Sequence, residues 1–171
     1  MSKRDLKKYL TELDKKQLEV QILELYDKFS PVKTYYDFVF NPKEDKLVQE
    51  CKLKIANEYF PVKSKKAKAR RSVAQKYIKH FITLGVDPFI IADVMLYAIE
   101  IAQAYASKKI VMQDTFYKSI LNSFEQAISY MIENGILYES QNRVVAIKNE
   151  TATQNWSNLY EFKAIIERFE Y

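Results

Sequence analysis

Glycine and proline are scarce in this chain, and that scarcity limits the folds open to it. Among 171 residues there are two glycines and four prolines, so tight turns must be few and the connections short. A few long helices meet this condition better than a sheet of many strands. With 48% apolar and 29% charged residues, the chain can also bury a core. We therefore predict one all-α domain over residues 1–171, a helical bundle or short solenoid-like stack of about seven to eight helices.

Capping residues and apolar spacing set the boundaries of the predicted helices. Ser2 with Asp5, and Asp14 with Gln17, have the spacing of capping boxes. Apolar residues then recur at intervals of three and four, which is the helical period. The predicted helices cover residues 2–13, 14–29, 30–40, 42–59, 66–84, 88–106, 114–133 and 154–169.

Residues 136–148 have a different composition from the rest of the chain. The order is Ile-Leu-Tyr-Glu, then Ser-Gln-Asn, then Arg-Val-Val-Ala-Ile-Lys. Two runs rich in β-branched and aromatic residues around a polar turn are typical of a β-hairpin. We therefore predict a small hairpin here, as an exception to the helical pattern.

A short internal similarity bears on the choice between a bundle and a solenoid. The triplet Pro-Val-Lys occurs at residues 31–33 and again at 61–63, 30 residues apart. Stacked helix pairs of a solenoid repeat at about such intervals, whereas three shared residues also arise by chance. Equivalent surroundings for the two triplets would favour the solenoid.

The basic character of the chain is concentrated in one segment, from Lys63 to His80. No acidic residue lies between Glu58 and Asp87, and subtracting the eight positive charges of this segment from the net charge of +5 leaves the remainder at −3. The eight residues are Lys63, Lys65, Lys66, Lys68, Arg70, Arg71, Lys76 and Lys79.

Such a cluster is suited to a polyanion. Lysines and arginines that begin in a loop and continue along a helix neutralise phosphates without reading a base sequence, and Tyr59 and Tyr77 nearby would add base stacking. The predicted partner is a nucleic acid or an acidic protein. The alternative is a solvated helix face whose charges are balanced by acids elsewhere in the fold.

The most apolar predicted helix, residues 88–106, contains two carboxylates. It is about long enough to span a bilayer, but Asp93 and Glu100 would be costly there, so we interpret it as the buried central helix of a bundle, with no membrane partner. Asp93, Tyr97 and Glu100 are spaced four and three apart and share one face. We predict a buried polar cluster, structural rather than catalytic, whose cations come from the preceding basic helix: Arg70, Arg71, Lys76 or Lys79.

Motifs for catalysis, cofactors and metals are missing from the sequence. There is no glycine-rich phosphate loop and no nucleophile elbow, and the chain has one histidine and one cysteine. We therefore expect no catalytic residue, no cofactor, no metal and no disulfide, and a cytoplasmic location. A site built from His80 with Asp93 and Glu100 ranks third among the hypotheses, because no acid that would orient the histidine is identifiable.

Residues 68–88 also support a family resemblance. The run Lys-Ala-Arg-Arg-Ser-Val-Ala-Gln-Lys-Tyr-Ile-Lys-His-Phe from Lys68 to Phe81, followed by Leu-Gly-Val-Asp-Pro at 84–88, resembles a family of short uncharacterised bacterial proteins classed as a domain of unknown function. The similarity extends from Ser-Lys-Arg-Asp-Leu-Lys-Lys-Tyr-Leu at residues 2–10 through Asn-Ser-Phe-Glu-Gln-Ala at 122–127. That family has no established activity, so the resemblance implies a bacterial, cytoplasmic setting and transfers no site.

These observations predict a non-enzymatic binding or adaptor protein. The leading hypothesis is polyanion binding through the basic segment. The alternative is a protein-interaction scaffold or homo-oligomer that uses an exposed aromatic patch around Tyr35, Tyr36 and Phe38.

Overall fold

Helices are the only regular elements in the part of the chain that the structure, a computed structural model, describes: residues 2–63 and 66–168. The all-α prediction is confirmed, but that part contains nine helices rather than seven to eight. They are α1 (Lys3–Thr11), α2 (Lys15–Lys28), α3 (Ser30–Phe40), α4 (Glu44–Tyr59), α5 (Arg71–Leu84), α6 (Pro88–Ala106), α7 (Asp114–Glu133), α8 (Leu137–Thr153) and α9 (Leu159–Glu167).

The helices divide into two compact units. Unit 1, Met1–Lys43, contains α1 to α3, and unit 2, Glu44–Tyr171, contains α4 to α9. The interpretation of residues 1–171 as one domain stays a prediction. The two Pro-Val-Lys triplets have different surroundings, because Pro31 lies in the first turn of α3 and Pro61 lies in the connection after α4.

The predicted hairpin at residues 136–148 is wrong, because this segment belongs to α8. Val144, Ile147 and Thr151 are buried at spacings of three and four, as expected for one face of a helix. The Ser-Gln-Asn run at 140–142 lies in the first turns of the same helix. Packing of one helical face therefore outweighed the β-propensity of the valines and isoleucines.

Helix α5 begins at Arg71, five residues after the predicted start at Lys66. The amides of Lys68 and Ala69 both donate to the carbonyl oxygen of Glu58, at 3.0 and 2.9 Å. Ala69 has a φ of 48°, in the left-handed region that a helix interior excludes. These contacts hold residues 68 and 69 against the end of α4, so that α5 begins only after them.

Helix α6 is the centre of unit 2. It contacts α4, α5, α7 and α8, and Val94, Leu96, Ile99 and Ala102 are completely buried along it. By length and composition alone, α6 could also span a bilayer, but core helices of water-soluble proteins meet the same two criteria. Half of its most apolar window is buried inside the protein. The prediction of a central helix at 88–106 agrees with this packing.

Cys51 tests the packing of α4 against α6. The side chain is completely buried, and burial raises the pKa of its thiol to about 12. At about pH 8 the thiolate fraction is then roughly a thousandfold below that of an exposed cysteine. We expect a thiol reagent to label the folded protein about a thousandfold more slowly than the urea-unfolded protein. Since the chain has one cysteine, equal rates in the two states would contradict this packing.

Candidate interaction surfaces

Both arginines among the predicted polyanion-binding residues are held in contacts within unit 2. The guanidinium of Arg70 donates two hydrogen bonds of 2.8 Å to the carboxylate of Glu58, and this contact lowers the pKa of Glu58. Arg71 donates to Ser123 Oγ at 2.6 Å and to Gln126 Oε1 at 2.8 Å. Burial lowers the pKa of Arg71. Both arginines therefore position the start of α5.

The lysines of the basic segment that the structure describes lie on the surface. Lys63, Lys66, Lys68, Lys76 and Lys79 are exposed, and Lys65 lies outside the described residues. The two tyrosines that were expected to stack on bases differ in their exposure. Tyr59 is buried, which raises its pKa to about 12, and Tyr77 is half-buried and forms a T-shaped pair with Phe81. The expected stacking contribution of Tyr59 is therefore wrong.

The two carboxylates of the predicted polar cluster on α6 pair with cations, but these cations come from other helices than predicted. Arg143 on α8 donates to Asp93 Oδ1 at 2.8 Å and to the two oxygens of Glu100 at 2.8 and 2.9 Å. Lys52 on α4 lies 2.6 Å from Asp93 Oδ2. The prediction that α5 supplies the partners is wrong. We call Lys52, Asp93, Glu100 and Arg143 the Arg143 cluster.

The Arg143 cluster is half-buried rather than enclosed. Its four side chains are between 31 and 38% exposed. Tyr97 lies at its edge, with its ring centroid 5.1 Å from Lys52 Nζ. Two carboxylates and two cations cancel in charge, so this arrangement joins α4, α6 and α8 and offers no excess charge to a substrate.

Sequence reasoning missed Arg143 because the hairpin prediction placed it away from α6. The signal that could have found it is helical spacing, since Leu137, Val144, Ile147 and Thr151 fall on one face when residues 137–153 form a helix. Arg143 then adjoins that face.

The third hypothesis, an enzyme site around His80, gains no support from the geometry. His80 is exposed on α5, and no hydrogen bond joins it to Asp93 or Glu100, whose oxygens accept from Arg143. Among the described residues no group of histidine, cysteine and carboxylate side chains has the arrangement of a metal site.

A cavity of about 610 Å³ lies between α7, α8 and α9. It is lined by Ile128, Leu137, Tyr138, Gln141, Val144, Val145 and Ile166. None of these lining residues is charged, and the cavity contains none of the predicted site residues.

Unit 1 differs from unit 2 in that none of its described residues is buried. Large apolar side chains are exposed on all three of its helices. They are Leu6, Tyr9, Leu10, Val20, Ile22, Leu23, Leu25, Phe29, Tyr35, Val39 and Phe40. The unit therefore has helices and apolar faces but no core of its own.

Helix α2 presents the most regular of these faces. Leu18, Ile22, Leu25 and Phe29 recur at spacings of four, three and four, and we call them the α2 stripe. Leu25 is 45% exposed and Phe29, the C-terminal cap, is 52% exposed. This is the spacing by which one helix packs against another.

Hydrogen bonds fix α1 and α3 on the two sides of the α2 stripe. Gln21, on one side, donates to the hydroxyl of Tyr9 in α1. Tyr26, on the other side, donates to Asp37 in α3 at 2.8 Å, and this hydrogen bond raises the pKa of Tyr26. The stripe therefore lies between two flanking helices.

The predicted aromatic patch lies on α3. Tyr35 is exposed, and Tyr36 and Phe38 are half-buried. The ring of Tyr36 stacks with that of Phe40 at a centroid distance of 6.2 Å, which extends the patch by an exposed residue that the sequence did not single out.

The Arg143 cluster makes a testable contribution to stability. We expect Arg143→Ala to lower the free energy of unfolding by about 1–2 kcal/mol, because it removes three charge-assisted hydrogen bonds from a half-exposed site. Arg168→Ala is the control, since Arg168 pairs with Glu125 at 3.4 Å in a more exposed position, and it should cost less than about 0.5 kcal/mol. Urea titrations monitored by circular dichroism measure both.

The difference in the free energy of unfolding between wild type and Arg143→Ala depends on pH. Burial raises the pKa of Asp93, but the hydrogen bonds from Lys52 and Arg143 outweigh burial and bring it below its usual 3.8. A lowered pKa gives stability that is present above the unfolded-state value and is lost as pH falls through the folded-state value. The difference between wild type and Arg143→Ala should therefore shrink below about pH 4. A constant difference down to about pH 2 would contradict the ion pairs.

The comparisons with known proteins place the chain in a family without assigning an activity. Neither the comparison with curated proteins nor the comparison with solved structures gives a match. A family model described as a family of unknown function, DUF6155, matches residues 1–170, which extends the similarity beyond the residues that suggested it. The chain therefore belongs to the DUF6155 family of unknown function.

Proposed function

We propose that the protein is a non-enzymatic interaction protein that self-assembles through unit 1. One observation supports this function above the others: no described residue of unit 1 is buried, although eleven large apolar side chains are exposed on its helices. Unit 2 completes its own core around α6. An apolar surface of this kind marks an interaction site more often than a free surface.

Unit 1 is too small to be stable with its apolar faces in water. A segment of 43 residues is near the lower limit for an independent hydrophobic core, and folds of this size usually rely on a metal, a disulfide or assembly. Its helices nevertheless have well-defined starts, since Ser2 with Asp5 and Asp14 with Gln17 form complete capping boxes. Unit 1 thus has well-defined helices, and assembly with another copy supplies the core that it lacks.

The charges of unit 1 favour a second copy over a polyanion. Residues 1–43 contain nine lysines and arginines and seven aspartates and glutamates, a net charge of +2. Lys15 pairs with Glu19 and Lys28 pairs with Glu24 within α2, which leaves the α2 stripe as an apolar seam. Two copies related by a twofold axis would present identical stripes to one another, the commonest arrangement in homo-oligomers.

Sedimentation equilibrium over a range of protein concentrations tests this proposal. We expect wild type to have the mass of a dimer or larger assembly. Ile22→Glu combined with Leu25→Glu should shift the protein to monomer and weaken association at least about a hundredfold, because two charges would be buried in the seam. Tyr160→Glu, an exposed apolar position of unit 2, is the control and should leave the mass unchanged.

A monomeric wild type at all concentrations would contradict self-assembly, and a loss of association in Tyr160→Glu would contradict assembly through unit 1. Slow labelling of Cys51 in each variant shows that unit 2 stays folded, so a change in mass is not caused by unfolding of unit 2.

Polyanion binding through the basic segment is the second candidate function. It is favoured by the exposure of Lys63, Lys68, Lys76 and Lys79 in a stretch without acidic residues. We propose that these lysines contact phosphates, while Arg70 and Arg71 stay in their contacts within unit 2.

Salt-dependent binding to a labelled single-stranded RNA measures this second function. Lys76→Glu with Lys79→Glu should weaken binding at least about tenfold and reduce its salt dependence, because fewer counterions are released. Lys118→Glu with Lys163→Glu, exposed lysines of α7 and α9, is the matched control. The absence of binding at low salt, or equal effects of the two double variants, would contradict a site on α5.

A further inference from the structure

A groove with apolar walls lies beside the end of α4, and a hydrogen bond fixes the connection that forms part of it. It has a volume of about 540 Å³, and its apolar lining comes from Leu53, Ala56, Phe60, Pro61 and Val62. Leu53 is 70% exposed and Val62 is 91% exposed. The side chain of Asn57 accepts a 3.2 Å hydrogen bond from the amide of Val62, which fixes the connection against the helix. We call this feature the α4 groove.

Lysines lie in the lining of the α4 groove and beside it. Lys54 and Lys63 are part of its lining, and none of the lining residues has a carboxylate. The ammonium of Lys108, in the connection after α6, lies 5.3 Å from the ring centroid of Phe60. Lys109 lies at the same distance from the ring of Tyr105, which in turn contacts Phe60 edge-on. An apolar floor is thus bordered by positive charge.

The positions of these lysines favour one class of ligand over nucleic acid. Lys108 and Lys109 already occupy faces of the Phe60 and Tyr105 rings, so a base could stack there only by displacing them. The floor offers aliphatic and aromatic side-chain surface in a concave shape, which suits an inserted side chain.

From this charge complementarity we infer that the α4 groove binds an acidic peptide segment of another protein. A large apolar side chain of that segment lies between Leu53, Phe60 and Val62, and its carboxylates lie beside Lys54, Lys63 and Lys108. Apolar insertion supplies most of the affinity, and the lysines select the acidic partner and speed its association. This surface belongs to unit 2 and is independent of self-assembly through unit 1.

Fluorescence polarisation with a short labelled peptide of alternating glutamate and leucine tests the inference on the full chain. The comparison ligands are the same peptide with serine for leucine, the same peptide with lysine for glutamate, an oligothymidylate, and vesicles of phosphatidylcholine with phosphatidylserine. We expect the glutamate–leucine peptide to bind at least about tenfold more tightly than either altered peptide.

Four substitutions locate the site. Leu53→Ser and Val62→Ser should each weaken peptide binding about tenfold, and so should Lys54→Glu with Lys108→Glu. The matched controls are Tyr160→Ser and Lys118→Glu, which are exposed positions elsewhere in unit 2, and they should leave binding unchanged. Since all the altered side chains are exposed, unit 2 should stay folded, and slow labelling of Cys51 verifies this.

The inference would be overturned by tighter binding of oligothymidylate, by tighter binding of the vesicles, or by peptide binding that the groove substitutions do not change. Repeating the titration in Ile22→Glu with Leu25→Glu separates the two proposals, because loss of self-assembly should not alter the α4 groove. Absence of peptide binding in both backgrounds would contradict the groove proposal while leaving the result for unit 1 as it stands.

Discussion

Burial of α6 is the constraint on which unit 2 depends. Four helices pack against it, and residues such as Val94, Leu96 and Ile99 are completely removed from water. One face of the same helix carries Asp93 and Glu100, which cannot be left unpaired at a half-buried position without a desolvation cost. Arg143 and Lys52 meet that need, and in doing so they attach α8 and α4 to the central helix. The polar cluster is therefore part of the packing of unit 2, which explains why its charges cancel.

Unit 1 follows the same physical rules with a different outcome. Its helices begin at capping boxes and have the apolar spacing of core-facing helices, but no described residue in it is buried. A helix of this length gains most of its stability from packing of its apolar face. The structure thus contains one unit with a complete core and one whose apolar faces are exposed, and this contrast supports the proposed interaction function more directly than the basic segment does.

Local signals in the sequence predicted local structure well. The capping residues of α1 and α2 and the glycines after α5 and α7 mark real ends, since Gly85 and Gly135 have φ values of 72° and 69°. Residues 137–153 were misassigned because β-branched residues obscured a helical spacing that appears only when Val144, Ile147 and Thr151 are compared. The roles of Arg70, Arg71 and Arg143 were not predictable, because their partners lie on other helices, up to 55 residues away for Arg71. Charge along a sequence locates a basic segment, but it does not tell which cations face inward.

Amide hydrogen exchange measured at several protein concentrations tests most directly whether unit 1 acquires its core by assembly. If assembly covers the α2 stripe, amides of α2 around Ile22 and Leu25 should become more protected as the concentration rises, whereas amides of α6 should exchange at a constant rate. Protection of α2 that does not change with concentration would contradict the claim.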